Sequence, residues 1–492
     1  MAKEKNVFES VVSHCKEYGF VFPSSEIYDG LGAVYDYGNY GSELKKNIKE
    51  YWWRSMVYMH ENIVGIDSAI FMHPKIWKAS GHIDGFSDPM IDNKDSKKRY
   101  RADQLIEDKI ARYEKDGKTN KATELQQGLD AALVDNNLEK LKLLIEEHEI
   151  VCPVSGTRNW TDVRQFNLMY STQMGSVADD ANEIYLRPET AQGIFVNFLN
   201  VQKSGRMKIP FGIAQIGKAF RNEIVARQFI MRMREFEQME MQFFVRPGTE
   251  MQWYNYWKES RLKWHLALGT SPDKYRFHDH IKLAHYANAA VDIEFQFPFG
   301  FKEVEGIHSR TDFDLKQHQE FSGKKLHYFD PELGADGKAI GNYIPYVIET
   351  SIGVDRMFLL TMINAYCEEE VVNGDQKDIR TVLKFHPALA PVKVAVLPLV
   401  KKDGLPDIAR KIINSLKMDH VCQYDEKDAI GKRYRRQDAI GTPFCITVDY
   451  DTLQDHTVTI RYRDSMKQER IAIDAIASLI AKEVNMNRLL GE

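Results

Sequence analysis

The sequence predicts an α+β fold, an antiparallel sheet flanked by helices and followed by a small α/β domain. Three observations carry that expectation. Across 182–363, short apolar or aromatic runs are broken by Pro210, Gly212, Pro298, Gly300, Pro345 and Gly353, as strands in long antiparallel pairs are. After the acidic run Glu368, Glu369 and Glu370, a linker is expected through Asn373, Gly374 and Asp375, with Pro387 and Pro391 beyond it. Strands then alternate with helices: strand 392–399, helix 408–416, strand 421–424, strand 444–448, a hairpin over 451–463 and a last helix over 472–484. In about 100 residues, that alternation makes a mixed sheet.

Two helical segments complete the outline. Leu44, Ile48, Tyr51 and Trp52 recur at helical spacing, and Ser42 is the expected N-cap of a helix over 42–56. Over about 105–150 the chain turns strongly charged, and Leu138, Leu141, Leu144 and Ile145 form a narrow apolar stripe. A helical insertion is expected there. At 492 residues the chain exceeds one compact core, and ~150 residues per domain gives roughly three units.

Composition excludes several classes. Hydrophobic residues at 43% and charged residues at 28% match globular averages rather than a disordered or collagen-like chain. The longest apolar runs, such as 394–397, fall far short of the ~20 residues that span a bilayer. The opening MAKEKNVFES lacks the apolar centre of an export signal. A cytoplasmic protein with no membrane partner is expected. Cys15, Cys152, Cys367, Cys422 and Cys445 are scattered and never form a C-x-x-C pair, which argues against a disulfide framework and a four-cysteine zinc site. The 66 basic and 71 acidic residues leave a net charge of −5, so binding to nucleic acid requires local patches. The strongest patch is Lys432, Arg433, Tyr434, Arg435 and Arg436, either a nucleic-acid contact or a solvated basic turn.

Residues 212–219 nearly match the phosphate loop G-x-x-x-x-G-K-[ST], but Ala219 stands where its hydroxyl must be, and strand-like alternation continues past it. Read as a strand, Ile213, Gln215, Gly217, Ala219, Arg221 and Glu223 share one face. On a second strand, Phe236, Gln238, Glu240 and Gln242 share a face opposite Met239, Met241, Phe243 and Val245. A hairpin with Arg221 across from Phe236 joins both polar faces into one floor, with Arg227, Arg232 and Arg234 in the loop at its tip. A guanidinium suits phosphate, a ring suits base stacking, and carboxylates suit an ammonium group or magnesium. An ordinary half-exposed hairpin with surface salt bridges has the same pattern. Residues 187–193 and 349–356 repeat the combination of carboxylate and arginine. His278 and His280 flank Asp279 without a third metal ligand at a recognised spacing, so no metal site is expected there.

Residues 220–223 (FRNE) with 234–240 (REFEQME) resemble motif 2 of class II aminoacyl-tRNA synthetases, and 353–356 (GVDR) resemble motif 3. Residues 24–28 (SSEIY), 34–38 (VYDYG), 187–193 (RPETAQG), 306–315 (GIHSRTDFDL) and 431–443 (GKRYRRQDAIGTP) are similar to glycyl-tRNA synthetases of the dimeric type. These long motifs stand in the family's order and cover most of the chain. Only 105–150 is little constrained, and it either decorates the fold or touches tRNA. Where some members carry paired cysteines, this chain has Cys152, Pro153, Val154 and Ser155, so no zinc is expected.

The resemblance implies a class II catalytic domain over 1–380 and an anticodon-binding domain over 381–492. It implies that glycine attacks the α-phosphate of ATP to give glycyl-adenylate and pyrophosphate, and that the terminal ribose hydroxyl of tRNA(Gly) then takes the glycyl group. ATP and Mg2+ are the implied cofactors. The implied assembly is a homodimer, formed through the helix over 42–56 and the stretch around Pro74.

By position in motif 2, Arg221 contacts the α-phosphate and Phe236 stacks on adenine, with Asn222, Glu223, Met231, Arg232, Met233, Arg234 and Glu235 beside the nucleotide. Arg356 holds the γ-phosphate end, next to Gly353, Val354 and Asp355; with Arg221 it makes the implied catalytic pair. Glu305 and Gly306 also adjoin ATP, and Glu349 serves Mg2+. Around glycine the resemblance sets Arg101, Glu189, Phe236, Glu237, Gln238, Met239, Glu240, Arg310, Glu349, Thr350 and Ser351. A missing methylene is worth only ~1–3 kcal/mol, so such a pocket must exclude larger substrates by filled space and charge. Lys432, Arg433, Arg435 and Arg436 are the implied tRNA contacts. A class II synthetase for another small amino acid shares these motifs but differs in its pocket, where RPETAQG speaks for glycine. A non-catalytic relative that binds nucleic acid would lack the arginines, whereas Arg221, Glu223, Glu349 and Arg356 are all present.

Overall fold

The computed structural model describes residues 6–175, 183–224, 228–280, 283–284, 286–334, 337–373 and 376–490. Arg227, Gly374 and Asp375 lie outside them. The chain divides into two compact units, the first formed by Met1–Ser68, Gly193–Lys218 and Phe236–Glu492, the second by Ala69–Gln192 and Ala219–Glu235.

The first unit is built on a seven-stranded sheet. In chain order its strands are β1 (Ile63–Gly65), β2 (Phe211–Phe220), β3 (Glu235–Val245), β4 (Tyr275–Asp279), β5 (Ala289–Phe297), β6 (Gly300–Thr311) and β7 (Tyr346–Gly353). Across the sheet the order is β4-β5-β6-β7-β3-β2-β1. The β4 to β3 pairs are antiparallel, and β1 joins β2 in parallel. Helices α1 (Asn39–Trp53), α2 (Glu250–Leu266) and α3 (Val354–Ala365) accompany it. Met239, Met241, Ile307, Ile348 and Ile352 point to one face and are almost fully buried.

Two expectations need correction here. Helix α1 begins at Asn39 with Gly38 as its N-cap, three residues before the expected start at Ser42. Its first turn presses against Phe20, and a β-carbon at Gly41 would lie 1.8 Å from the Phe20 carbonyl oxygen, so the helix enters through a glycine rather than after it. The expected linker is instead a hairpin of strands Tyr366–Asn373 and Gln376–Leu383, with Glu368 opposite Thr381 and Glu370 opposite Ile379. Its acidic run occupies a paired strand.

The same unit ends in a mixed sheet of β8 (Val394–Pro398), β9 (Cys422–Tyr424), β10 (Phe444–Val448), β11 (Thr457–Tyr462) and β12 (Gln468–Ala472), ordered β9-β8-β10-β11-β12. Strand β8 is parallel to both neighbours, and the rest of the sheet is antiparallel. Helices α4 (Leu405–Leu416) and α6 (Ile476–Glu483) pack Leu405, Ile412, Leu416, Ile476 and Ile480 against Val394, Val396, Ile446 and Ile460. The basic run lies on α5 (Ile430–Ile440), a helix that the sequence reading left without a structure, and the expected hairpin over 451–463 pairs instead between β11 and β12.

The second unit contains a three-stranded sheet (Lys98–Arg101, Ser87–Asn93 and Arg164–Asn167, in spatial order) and three helices, Ala102–Lys115, Thr119–Val134 and Leu138–Glu147. Ile106, Leu125, Leu129, Leu141 and Ile145 form its core together with Ile91, Cys152 and Trp160. That core draws on residues outside 105–150, so the helices and the small sheet form one packed body.

In the first unit, His386 accepts a hydrogen bond from the Ala388 N–H (3.2 Å). Burial, with Lys393, Arg463 and Arg488 adding positive charge, pushes its ring down to about 4 from 6.5. The unfolded ring therefore takes up a proton that the folded ring refuses, and stability falls as the pH drops from 6.5 toward 4. In His386→Asn, which keeps an acceptor for that N–H, urea midpoints should fall less between pH 7.5 and 5 than in the wild type. Equal losses would remove His386 as the cause.

Candidate active site

Alternation along β3, β6 and β7 places a set of polar side chains on one face of the first unit's sheet. Glu240 lies opposite Ser351, which lies opposite Gly306; in the next row Gln242, Glu349 and His308 stand in line. Glu349 is the centre of this face. Its Oε1 accepts from Gln242 Nε2 (2.7 Å) and Arg310 Nη1 (3.1 Å), and its Oε2 from His308 Nδ1 (2.6 Å) and Arg310 Nη1 (3.2 Å). Burial alone would raise this carboxyl, but Arg310, His308 and Gln242 outweigh it and hold it well below the usual range. Gln242 Nε2 also donates to Glu240 (2.7 Å), and Gln238 Nε2 donates to Ser351 Oγ (3.3 Å). Arg310 is enclosed, paired with Asp314 at 2.8 and 2.9 Å, so it positions Glu349 from behind.

Buried amide atoms of Gln215, Gln238 and Gln242 lack a hydrogen-bond partner on this face. Such atoms in a folded protein call for a ligand or water. Gln215 and Gln242 were expected only as members of the polar faces, without a role, and His308 was not expected on this floor. Their i, i+2 relation to Gly217, Glu240 and Gly306 was the available signal.

Several expected site residues point elsewhere. Thr350 and Met239 are buried on the opposite face, in the apolar rows of the sheet. Glu305 is fully buried there too, bonded to Arg261 Nε (2.6 Å) and His265 Nε2 (2.8 Å) of α2. Asp355 accepts from Tyr37 OH, Lys45 Nζ (2.8 Å) and the Glu237 N–H (2.8 Å). Glu237 in turn pairs with Lys45 (3.3 Å) and Lys49 (2.9 Å). Val354 is buried in α3. Glu305, Asp355 and Glu237 thus tie the sheet to helices. Glu349, the expected magnesium ligand, accepts four hydrogen bonds from three donor atoms, Gln242 Nε2, His308 Nδ1 and Arg310 Nη1. Arg356 is half-exposed at the start of α3 and reaches Glu303 through its carboxylate (3.0 Å) and carbonyl oxygen (3.2 Å). Phe236 is half-buried.

The second unit holds the other expected residues. The Arg221 N–H donates to the carbonyl of Arg234 (2.9 Å), so the hairpin closes with Arg221 beside Arg234 rather than across from Phe236. Arg221 Nε donates to the Pro188 carbonyl (3.1 Å), and its guanidinium lies 5.3 Å from the centre of the Phe86 ring. Asn222 is fixed by its N–H to the Leu168 carbonyl (2.8 Å), and Glu223 by its own carbonyl, which accepts from Arg234 Nε (2.9 Å). Met231 and Met233 are buried, while Arg232, Arg234 and Glu235 are half-buried. Glu189 receives Gln192 Nε2 (2.9 Å) and lies 3.4 Å from His82 Nε2. Arg101 is clamped by Asp88 (3.0 Å) and Asp103 (2.6 Å).

The basic run divides by exposure. Arg433 is buried and donates to the carbonyls of Pro398 (2.7 Å), Leu399 (3.1 Å) and Asp425 (3.1 Å), which withdraws it from any phosphate. Arg436 pairs with Asp425 (2.6 Å) and Asp428 (2.8 Å), and Arg435 with Asp378 (3.1 Å). Lys432 is exposed and has no ion pair among the described residues. Helical periodicity explains the split, since adjacent residues point about 100° apart.

A polar antiparallel floor entered by a motif 2-like hairpin and left by a motif 3-like strand and helix, with a mixed-sheet domain after it, is the architecture of a class II aminoacyl-tRNA synthetase. Residues 170–366 match the tRNA synthetase class II core domain (G, H, P, S and T), and residues 393–483 match an anticodon binding domain. A crystal structure of prolyl-tRNA synthetase from Cryptosporidium parvum, complexed with halofuginone and AMPPNP, superposes with a TM-score of 0.61 at 13% identity, covering 100% of this chain and 80% of that one. That likeness shows the fold. Residues 88–124 and 116–168 match the glycyl-tRNA synthetase insertion domain 1. Glycine–tRNA ligases of Chlorobaculum tepidum, Staphylococcus haemolyticus and Treponema denticola are 54%, 52% and 50% identical, over 96%, 97% and 98% of this chain and 99%, 98% and 98% of theirs. The chain belongs to the glycine–tRNA ligase family.

Proposed function

We propose that this chain performs its family's reaction, ligation of glycine to tRNA(Gly), with Arg221 meeting the α-phosphate of ATP and Glu240, Glu349 and Ser351 receiving glycine. The observation that carries this reading is the Glu349 floor, where the carboxylates of Glu240 and Glu349 and the amides of Gln238 and Gln242 share one face of the sheet, a set of groups suited to an ammonium. A glycine carboxylate oxygen attacks the α-phosphorus as pyrophosphate leaves; the terminal ribose hydroxyl of tRNA then attacks the glycyl carbonyl, and AMP leaves. Neither step needs a side-chain nucleophile, so rate comes from alignment and from positive charge at the phosphate. Glu189 is proposed as a further anionic contact for glycine, Phe236 as the adenine platform, and Arg356 as the γ-phosphate contact, released from Glu303. Arg101 orders its neighbourhood through Asp88 and Asp103. Magnesium is proposed to arrive with ATP.

The proposed domains are a catalytic domain over 1–380 and an anticodon-binding domain over 381–492. The proposed location is the cytoplasm, where tRNA is charged; no helix among the described residues is long and apolar enough to cross a membrane. A homodimer is proposed as well, supported by the exposed apolar side chains Ile27 (88%), Tyr28 (80%) and Leu31 (57%) on one loop. Light scattering should give twice the chain mass, and an active monomer would end that reading.

Arg221→Ala should lower glycine-dependent ATP–pyrophosphate exchange by about 10²–10³-fold, as loss of one charge-stabilising donor does, with the melting temperature unchanged. A near-normal rate would remove its assigned role. Lys432→Ala should raise KM for tRNA at normal stability and normal exchange, while Arg433→Ala should chiefly lower stability by orphaning three carbonyls. A KM effect of Arg433→Ala at unchanged stability would contradict this division.

A further inference from the structure

At the β4 edge of the sheet, three side chains that the sequence left unconnected converge. His280 follows β4, Asp292 lies on β5 and His308 on β6, and their ligand atoms all lie within 4.8 Å of one another. His280 Nε2 stands 2.8 Å from Asp292 Oδ2, and the two histidine rings are 5.9 Å apart between centres. The register explains the convergence. His308 is opposite Ala290 and Asp292 is opposite Gly306, so two small residues clear the space above the strands. A β-carbon at Gly306 would lie 3.0 Å from His308 Cε1 and 3.2 Å from its Nε2, close enough to crowd the ring, and 3.6 Å from Asp292 Oδ1, in ordinary contact.

We propose that His280, Asp292 and His308 form a binding site for a divalent late transition-metal ion such as Zn2+. Two imidazoles and one carboxylate on a half-buried face are a common donor set for such ions, and hard Mg2+ or Ca2+ would instead seek oxygens. The surroundings match a ligating histidine as well. His308 gives its Nδ1 proton to Glu349 (2.6 Å), which turns Nε2 toward Asp292 and fixes the tautomer that ligation requires. His280 ligates through Nε2. Its side chain is 32% exposed, against 15% for Asp292 and 19% for His308, so the ion enters from the His280 side and a water completes the coordination. Glu349 orients His308 without touching the ion. This site does not depend on which amino acid the neighbouring floor accepts.

The test is metal binding by the full chain after chelator dialysis. One Zn2+ per chain should survive gel filtration, and Co2+ should give the visible bands of nitrogen and oxygen coordination without a thiolate charge-transfer band. His280→Ala and Asp292→Asn should each weaken Zn2+ binding by about tenfold or more. Removing the partly exposed His280 leaves the core untouched, so that variant carries the test if Asp292→Asn fails to fold. Absence of stoichiometric Zn2+ in the wild type, unchanged binding in folded His280→Ala, or a thiolate band from Co2+ would overturn the proposal.

Discussion

The buried carboxylate of Glu349, held between Arg310 and His308, is the constraint from which the polar face of the sheet follows. An enclosed arginine must be compensated, and Arg310 has two carboxylates to do so, Asp314 on its own side and Glu349 across the strand. Removing one partner of such a buried pair typically costs about 3–5 kcal/mol, because the other charge is left without compensation. Glu349 thereby stays ionised, Gln242 is turned to bridge it to Glu240, and His308 is held in one orientation. One carboxylate thus sets the direction of three neighbouring side chains.

The same sheet spends its other charges on attachment. Glu305 binds Arg261 and His265 on the far face, and Asp355 gathers Tyr37, Lys45 and the backbone of Glu237. These groups lie within the recognisable motifs or, for Glu305, just before one, yet they fasten helices α1 and α2 to the strands. A motif therefore marks a stretch of chain whose alternate residues have different tasks. One face carries the proposed ligand contacts, and the other holds that face in place.

The basic run on α5 follows the same division at helical period. Arg433 is consumed by three carbonyls at the end of β8 and beyond β9, which fixes the helix against the sheet. Its neighbours remain nearer the surface, engaged with acidic groups or, for Lys432, open to a partner. Counting positive charges overstates the surface available to nucleic acid, because burial decides which of them a phosphate can reach.

Alternation and punctuation in the sequence determined the antiparallel sheet, the mixed-sheet domain and the face to which Gln238, Glu240 and Gln242 belong, since side-chain period is a local property of a strand. Strand 444–448 was legible for that reason, while the helix expected over 472–484 runs only over 476–483, after a strand that ends at Ala472. Register and long-range approach were not. Nothing local sets Arg221 beside Arg234, moves the start of α1 to Asn39, or turns a presumed linker into a paired hairpin, because each depends on what the backbone meets elsewhere. His280, just past β4, meets Asp292 of β5 and His308 of β6 only because the β4-β5-β6 register brings them together over Ala290 and Gly306. The sequence settled which residue types were available for chemistry; the tertiary structure decided which of them share a site, because that is fixed by pairing distances no single stretch of chain contains.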